Sequence, residues 1–249
     1  MSEHLARREV LAVTGSEREK FLQGLITNDI GKLKDGLLYA ALLSPQGKYL
    51  ADFFLRAEGE AILIDADAAQ APALLQRLNM YRLRADAAIS PTGLSVRRGT
   101  GPAPADALRD PRHAALGWRA YGAQAGDDGT DWDAIRVAHV IPESGIELVP
   151  NETYILEAGF ERLNGVDFRK GCYVGQEVTA RMKHKTELKK GLAQVEIEGA
   201  APVGTPITAA GKPAGTLYTR SAGRAIAYLR FERARGDLRA GDARLVWHG

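Results

Sequence analysis

The run Leu37-Leu38-Tyr39-Ala40-Ala41-Leu42-Leu43, then Ser44-Pro45-Gln46-Gly47, then Tyr49-Leu50-Ala51-Asp52-Phe53-Phe54-Leu55-Arg56 reads as two strands joined by a turn. Apolar runs of this length bounded by serine, proline and glycine are what strands and their turns require. Ala57-Glu58-Gly59-Glu60 supplies a second turn, and Ala61 to Asp65 a third strand. Leu74, Leu75, Leu78 and Tyr81 then fall at helical spacing, with Pro72 in the first turn, and Ala85 to Arg97 predicts a further strand. Three successive strands, a helix and a strand imply an antiparallel sheet with a helix on one face, the α+β class.

Working outward, Val10 to Val13 reads as a short strand, and Ser16-Glu17-Arg18-Glu19 fits a capping box ahead of the apolar stripe Phe21, Leu22, Leu25 and Ile26. On the other side, Gly99 to Asp106 carries two glycines and two prolines and reads as a crossover; Asp131 to His139 predicts a helix ending before Pro142. From Gly191 onward, short runs such as Leu192 to Ile197 and Arg244 to Trp247 are broken by frequent glycine and proline, which suggests a small β-barrel or sandwich. The boundary falls near residue 188, giving an α+β region over 1–188 and a small all-β domain over 189–249.

The chain has 249 residues, 45% hydrophobic and 26% charged, enough to bury a core and ordinary for a globular protein. Its net charge of +2 marks no nucleic-acid or membrane partner. The opening Met1 to Glu9 lacks the apolar stretch of a signal peptide, and no run of about eighteen apolar residues occurs, so a cytoplasmic protein without a membrane partner is expected. One cysteine excludes an internal disulfide and a four-cysteine metal site built by a single chain.

That cysteine sits in Arg169-Lys170-Gly171-Cys172-Tyr173-Val174-Gly175-Gln176-Glu177. Glycines let another group approach closely, and nearby positive charge from Lys170 favours the thiolate. A helix over Val174 to Met182 would add a favourable N-terminus. Local chemistry leaves two readings open, a reactive thiol or a small buried hydrophobe. Between Arg169 and Lys190 stand seven basic and two acidic residues, either an anion-attracting patch or a solvated helix face and linker. His4, His113, His139, His184 and His248 are too scattered for a local metal motif, and Asp127 to Asp133 misplaces the glycine and glutamate of a calcium loop. No Walker loop, dinucleotide fingerprint or nucleophile-elbow serine is present.

The string Lys170 to Glu177, continued by Val178-Thr179-Ala180-Arg181-Met182, resembles the signature of the YgfZ family of folate-binding, aminomethyltransferase-like proteins of iron–sulfur cluster maintenance. Further segments match in order: Phe21-Leu22-Gln23-Gly24, Thr27-Asn28-Asp29, Gln46-Gly47-Lys48, Met80-Tyr81-Arg82-Leu83-Arg84, Ile135-Arg136 and Ile141-Pro142-Glu143. The resemblance spans roughly residues 5–247.

It implies a three-lobed aminomethyltransferase-like fold around a hole that takes tetrahydrofolate, with a small C-terminal β-barrel. It also implies a folate-binding accessory protein of iron–sulfur assembly or repair, partnered by assembly or client proteins. Cys172 becomes the reactive thiol and a transient cluster ligand, with no stably bound metal, and Asp52, Tyr81, Arg136 and Lys170 the folate-binding residues. The rival is a tetrahydrofolate-dependent aminomethyl or one-carbon transferase. Two places depart from the pattern and one keeps it. The related glycine-cleavage T-protein holds the pterin with a glutamate where this chain has Ala138, and a charge-assisted contact of that kind is worth about 1.5–3 kcal/mol. Asp52 falls where the T-protein keeps its acidic catalytic residue, and Lys185-Thr186 replaces the family's usual arginine–glycine pair. An RNA-binding reading finds no aromatic-rich stacking surface.

Overall fold

The computed structural model describes residues 8–184 and 187–249; the opening segment with His4 and the Lys185-Thr186 pair lie outside the described residues. The chain forms two compact units, one from residues up to Thr130 with Glu161–Val178, the other from Asp131–Phe160 with Thr179–Gly249.

In the first unit, β1 (Arg8–Thr14), α1 (Arg18–Gln23), β2 (Leu38–Leu43), β3 (Tyr49–Glu58), β4 (Ala61–Asp67), α2 (Ala71–Arg82) and β5 (Ala88–Pro91) follow in order. The strands make an antiparallel sheet ordered β2-β3-β4-β1-β5. Side chains alternate across it with a period of two. Leu11, Leu42, Phe53 and Ile64 point to one face, where Phe21 and Leu22 of α1 and Leu74 and Leu78 of α2 complete the hydrophobic core.

The opposite face is equally buried and carries charge. Tyr39 pairs with Phe54, and Phe54 with Asp65, across neighbouring strands. A second sheet, ordered β7-β8-β6-β9, is built from β6 (Ser95–Gly99), β7 (Leu108–Arg109), β8 (Trp118–Gly122) and β9 (Gly126–Asp127). Its Arg119 reaches Asp65 at 3.3 Å and Asp110 at 3.1 Å, while Arg8 meets Asp65 at 2.6 Å and Arg112 meets Asp110 at 2.9 Å. The Arg119 guanidinium stands 3.8 Å over the Phe54 ring. Buried on both faces, β2 to β4 read as nearly continuous apolar runs with buried polar interruptions at Asp52 and Asp65.

Two local expectations give way to long-range partners. The strand over Ala85 to Arg97 is two strands in different sheets, because Pro91 ends β5 and Gly93 turns the chain at φ +72°. The capping box does not form: α1 has no side-chain cap, the Ser16 hydroxyl donates to Asp86 at 2.6 Å, and the Asp86 amide donates to Glu17 at 2.9 Å. Asp86, delivered by the chain after α2, outcompetes the helix's own amides for the Ser16 hydroxyl.

In the second unit, α3 (Trp132–His139) starts on an Asp131 cap whose carboxylate accepts the Ala134 amide at 2.9 Å. The helix α4 (Gln176–His184) leads to a closed barrel of β10 (Lys190–Glu198), β11 (Pro206–Ala209), β12 (Lys212–Ser221), β13 (Arg224–Arg230), β14 (Leu238–Ala240) and β15 (Ala243–Val246). Its closed order is β10-β13-β12-β11-β14-β15, around Val195, Ile207, Leu217, Leu229 and Leu245. The barrel strands begin at Lys190, just past the expected boundary at 188, while the compact unit holding them also takes in Asp131–Phe160.

Candidate functional site

Within the first unit, three of the sequence motifs converge on the loop that carries Cys172. The approach to that loop is tied down from Thr27 and Asn28, both fully or almost fully buried. The Thr27 hydroxyl donates to the Gly165 carbonyl at 2.7 Å and accepts the Ala41 amide at 2.8 Å, and the Thr27 carbonyl accepts the Asp167 amide at 3.0 Å. The Asn28 amide group donates to the carbonyls of Tyr39 (2.8 Å) and Asn164 (2.7 Å). Asp167 takes the Lys32 ammonium at 2.7 Å and the Arg169 amide at 2.7 Å; that hydrogen bond from Lys32 holds its carboxyl below the usual range.

Lys170 is turned inward. Its ammonium donates to the carbonyl oxygens of Gln23 (2.8 Å), Ile26 (2.5 Å) and Asn28 (3.0 Å), and lies 5.0 Å from the centre of the Tyr173 ring. Burial lowers its pKa to about 8, against the pull of Asp29 and Asp167. The lysine expected to favour the thiolate thus spends its three donors on backbone.

Beyond the cysteine, Gly175 has φ +83° and lies against the β2–β3 turn, where Gly47 has φ +74°. A Cβ on Gly47 would stand 2.7 Å from the Val178 Cβ, so the Gln46-Gly47-Lys48 turn and the start of α4 touch only because glycine is there. Tyr173 is buried, whereas Gly171 and Cys172 are exposed. The loop is therefore held before and after the cysteine, and the thiol stands at the surface. The helix begins at Gln176 and not at Val174, because Gly175 takes the left-handed conformation that no helical residue adopts. Cys172 is not on its first turn.

The remaining predicted residues occupy separate places. Asp52 is buried on the polar face of the main sheet, accepting the hydroxyls of Tyr39 (2.9 Å) and Tyr49 (2.7 Å). Burial, then the Asp52 charge, pushes Tyr39 well above its ordinary pKa. Tyr81 leaves α2 on the opposite, apolar face, packed against the hydrophobic core. Arg136 is buried in the second unit, donating to Asp133 (2.9 Å), the Ile141 carbonyl (3.1 Å), Thr219 (3.2 Å) and Glu147. Ala138 is exposed on α3, and its carbonyl accepts from Gln194 at 3.2 Å. As a folate-binding set these side chains do not fit: Arg136 and Lys170 are committed to internal partners, and Tyr81 to the core. Asp52 alone offers acceptor chemistry suited to a pterin N–H edge.

Thr27, Asn28, Gly165 and Asp167 were not legible as anchors, since their partners lie more than a hundred positions away. The available signal was a Thr-Asn-Asp string between apolar runs, polar residues where the pattern wants apolar ones.

The fold is aminomethyltransferase-like. It matches the glycine cleavage system aminomethyltransferase T of Bartonella henselae with a TM-score of 0.75, over 97% of this chain and 82% of that one, at 15% identity. Residues 189–248 match the family model of the CAF17 C-terminal β-barrel domain. The chain is similar to the iron–sulfur cluster assembly factor IBA57, mitochondrial, of Mus musculus and of Homo sapiens, at 29% identity over 93% of this chain and 78% of each relative. It is 32% identical to the IBA57 homolog, mitochondrial, of Phaeosphaeria nodorum over 82% of this chain and 58% of that protein. These names overturn the cytoplasmic expectation: the relatives are mitochondrial proteins.

Proposed function

We propose that this protein is an accessory factor of iron–sulfur cluster assembly or repair, of YgfZ type, working through Cys172 with assembly or client proteins. The observation that carries it is the exposed position of the chain's sole thiol on a loop anchored before and after it by the family motifs. The similarity to iron–sulfur assembly factors along most of the chain supports the same reading. One thiolate cannot hold a stable cluster, so the partner or a small thiol supplies the other ligands during transfer. Deleting the gene and restoring it as wild type or Cys172→Ser, with several iron–sulfur enzymes and glycine cleavage assayed side by side, tests it. Wild type restores the iron–sulfur enzymes and Cys172→Ser does not; full complementation by Cys172→Ser overturns the role of the thiol.

Tetrahydrofolate is the ligand this reading gives the fold, with Asp52 as its acceptor; no catalytic step is assigned to it. Support comes from the likeness to an aminomethyltransferase. Titration calorimetry should find micromolar or weaker binding, and Asp52→Asn should weaken it ~10-fold, or about 1.4 kcal/mol. Absence of heat at millimolar folate removes folate from the reading. Methylene transfer from an aminomethyl-carrying lipoyl donor to folate would replace the accessory role by a transferase.

A further inference from the structure

We infer that the carbonyl oxygens of Gln23, Ile26 and Asn28 form a seat for a monovalent cation, that the chain fills it with its own Lys170 ammonium, and that the filled seat positions the Cys172 loop. Lys170 is a positioning residue; it acts through the loop and not on a reactant.

The geometry is that of a cation site. Three carbonyl oxygens converge on Nζ at 2.8, 2.5 and 3.0 Å, matching in number the three donors of an ammonium. Backbone carbonyls that replace a hydration shell are how proteins hold potassium-sized ions. Two of the oxygens belong to Gln23, the last residue of α1, and Ile26 just beyond it, where unpaired carbonyls and the negative end of the helix collect. The Tyr173 ring faces the same charge from 5.0 Å, a second favourable contact for a cation. Lys170 is 7% exposed as a residue, so the ammonium has exchanged water for these partners. Packing alone would be met by methionine. The three protons are what the seat uses.

The consequence follows from where the partners lie in the chain. The seat belongs to residues 23–28 and its occupant stands two positions before Cys172, so filling it welds the cysteine loop to the segment after α1. An empty seat leaves three carbonyls, two of them buried, without their donor and releases the loop at that end.

Amide hydrogen exchange of the full chain tests this, read in peptides covering residues 24–29 and 171–175. Wild type, Lys170→Ala and Lys170→Met are compared in potassium, ammonium or tetramethylammonium chloride at equal ionic strength, with melting temperatures alongside. Lys170→Ala opens a space that a small cation can enter. Both segments should exchange ~10-fold or more faster in tetramethylammonium, and recover most of their protection in potassium or ammonium, tenfold corresponding to about 1.4 kcal/mol. Lys170→Met fills the space with an apolar end and should stay unprotected in all three salts; wild type should ignore the choice of cation. Protection in Lys170→Ala that equals wild type, or that is the same in all three salts, overturns the seat. A Lys170→Ala protein that folds only with potassium or ammonium supports it, and one that folds in none overturns it. The inference rests on the assembly reading only for the importance of Cys172. Failure of that reading appears in the Cys172→Ser complementation, which leaves the seat intact.

Discussion

A methyl group on Gly175 would stand 2.6 Å from the carbonyl oxygen of Ser44, closer than a side-chain carbon can approach. The loop that carries the thiol and the turn between β2 and β3 therefore meet backbone to backbone. With φ at +83°, Gly175 is also in the region that side chains avoid. Each constraint alone calls for glycine, and together they set how far Cys172 stands from the main sheet.

Gly175→Ala should consequently cost more than about 1 kcal/mol from the backbone conformation alone, and the turn must shift in addition. Urea denaturation checks the stability, and the alkylation rate of Cys172 reports the displacement. An alanine variant with an unchanged midpoint and unchanged thiol reactivity would show that the contact is loose.

Thr27→Val keeps the shape of a fully buried side chain but removes the hydroxyl between the Gly165 carbonyl and the Ala41 amide. Two buried backbone groups lose their partner, so the loss should reach about 2 kcal/mol or more. Thr27→Ser, which retains the hydroxyl, should cost less than the valine variant. The reverse order in thermal melting would assign the effect to packing.

Acid should release the buried charge layer of the first unit. Burial by itself would raise the Asp110 carboxyl, but the guanidiniums of Arg112 and Arg119 and the hydrogen bonds from Arg112 outweigh it and bring the pKa down to about 2. A carboxyl held below its unfolded value of 3.8 contributes stability that is complete above about pH 4 and is lost as the pH falls towards 2. The difference in urea midpoint between wild type and Asp110→Asn should then shrink from pH 5 to pH 2. A difference that stays constant across that range would sink the assignment.

In the second unit, Glu147 is fully buried and accepts the Thr219 hydroxyl, the Glu143 amide at 2.9 Å and the Arg136 guanidinium. Glu147→Gln leaves that guanidinium short of a buried counter-charge, and should destabilise by roughly 3 kcal/mol. Adding Arg136→Met should recover part of the loss, because no buried cation is then stranded. Simple additivity of the two substitutions would mean that they act independently.

What the residues determine locally came through in the sequence. The apolar runs and turns of 37–65, the helix of Leu74, Leu75 and Leu78 behind Pro72, the Asp131 cap and the short glycine-punctuated strands of the C-terminal region all follow from period, turn chemistry and capping. These depend on residues a few positions apart. The cysteine motif was likewise visible, and its thiol stands at the surface.

Tertiary structure decided whatever depends on distant partners. Ser16 reads as a helix cap, but its hydroxyl is taken by Asp86, 70 positions away. Lys170 read as a charge beside a thiol, yet its ammonium lies among carbonyls 142 to 147 positions earlier. Arg136 reads as a ligand contact, yet its charge is held by Glu147 and Thr219, 11 and 83 positions on. A polar side chain carries its donors and acceptors in its own chemistry, but which groups use them is settled by what the fold places within 3 Å, and no local pattern records that.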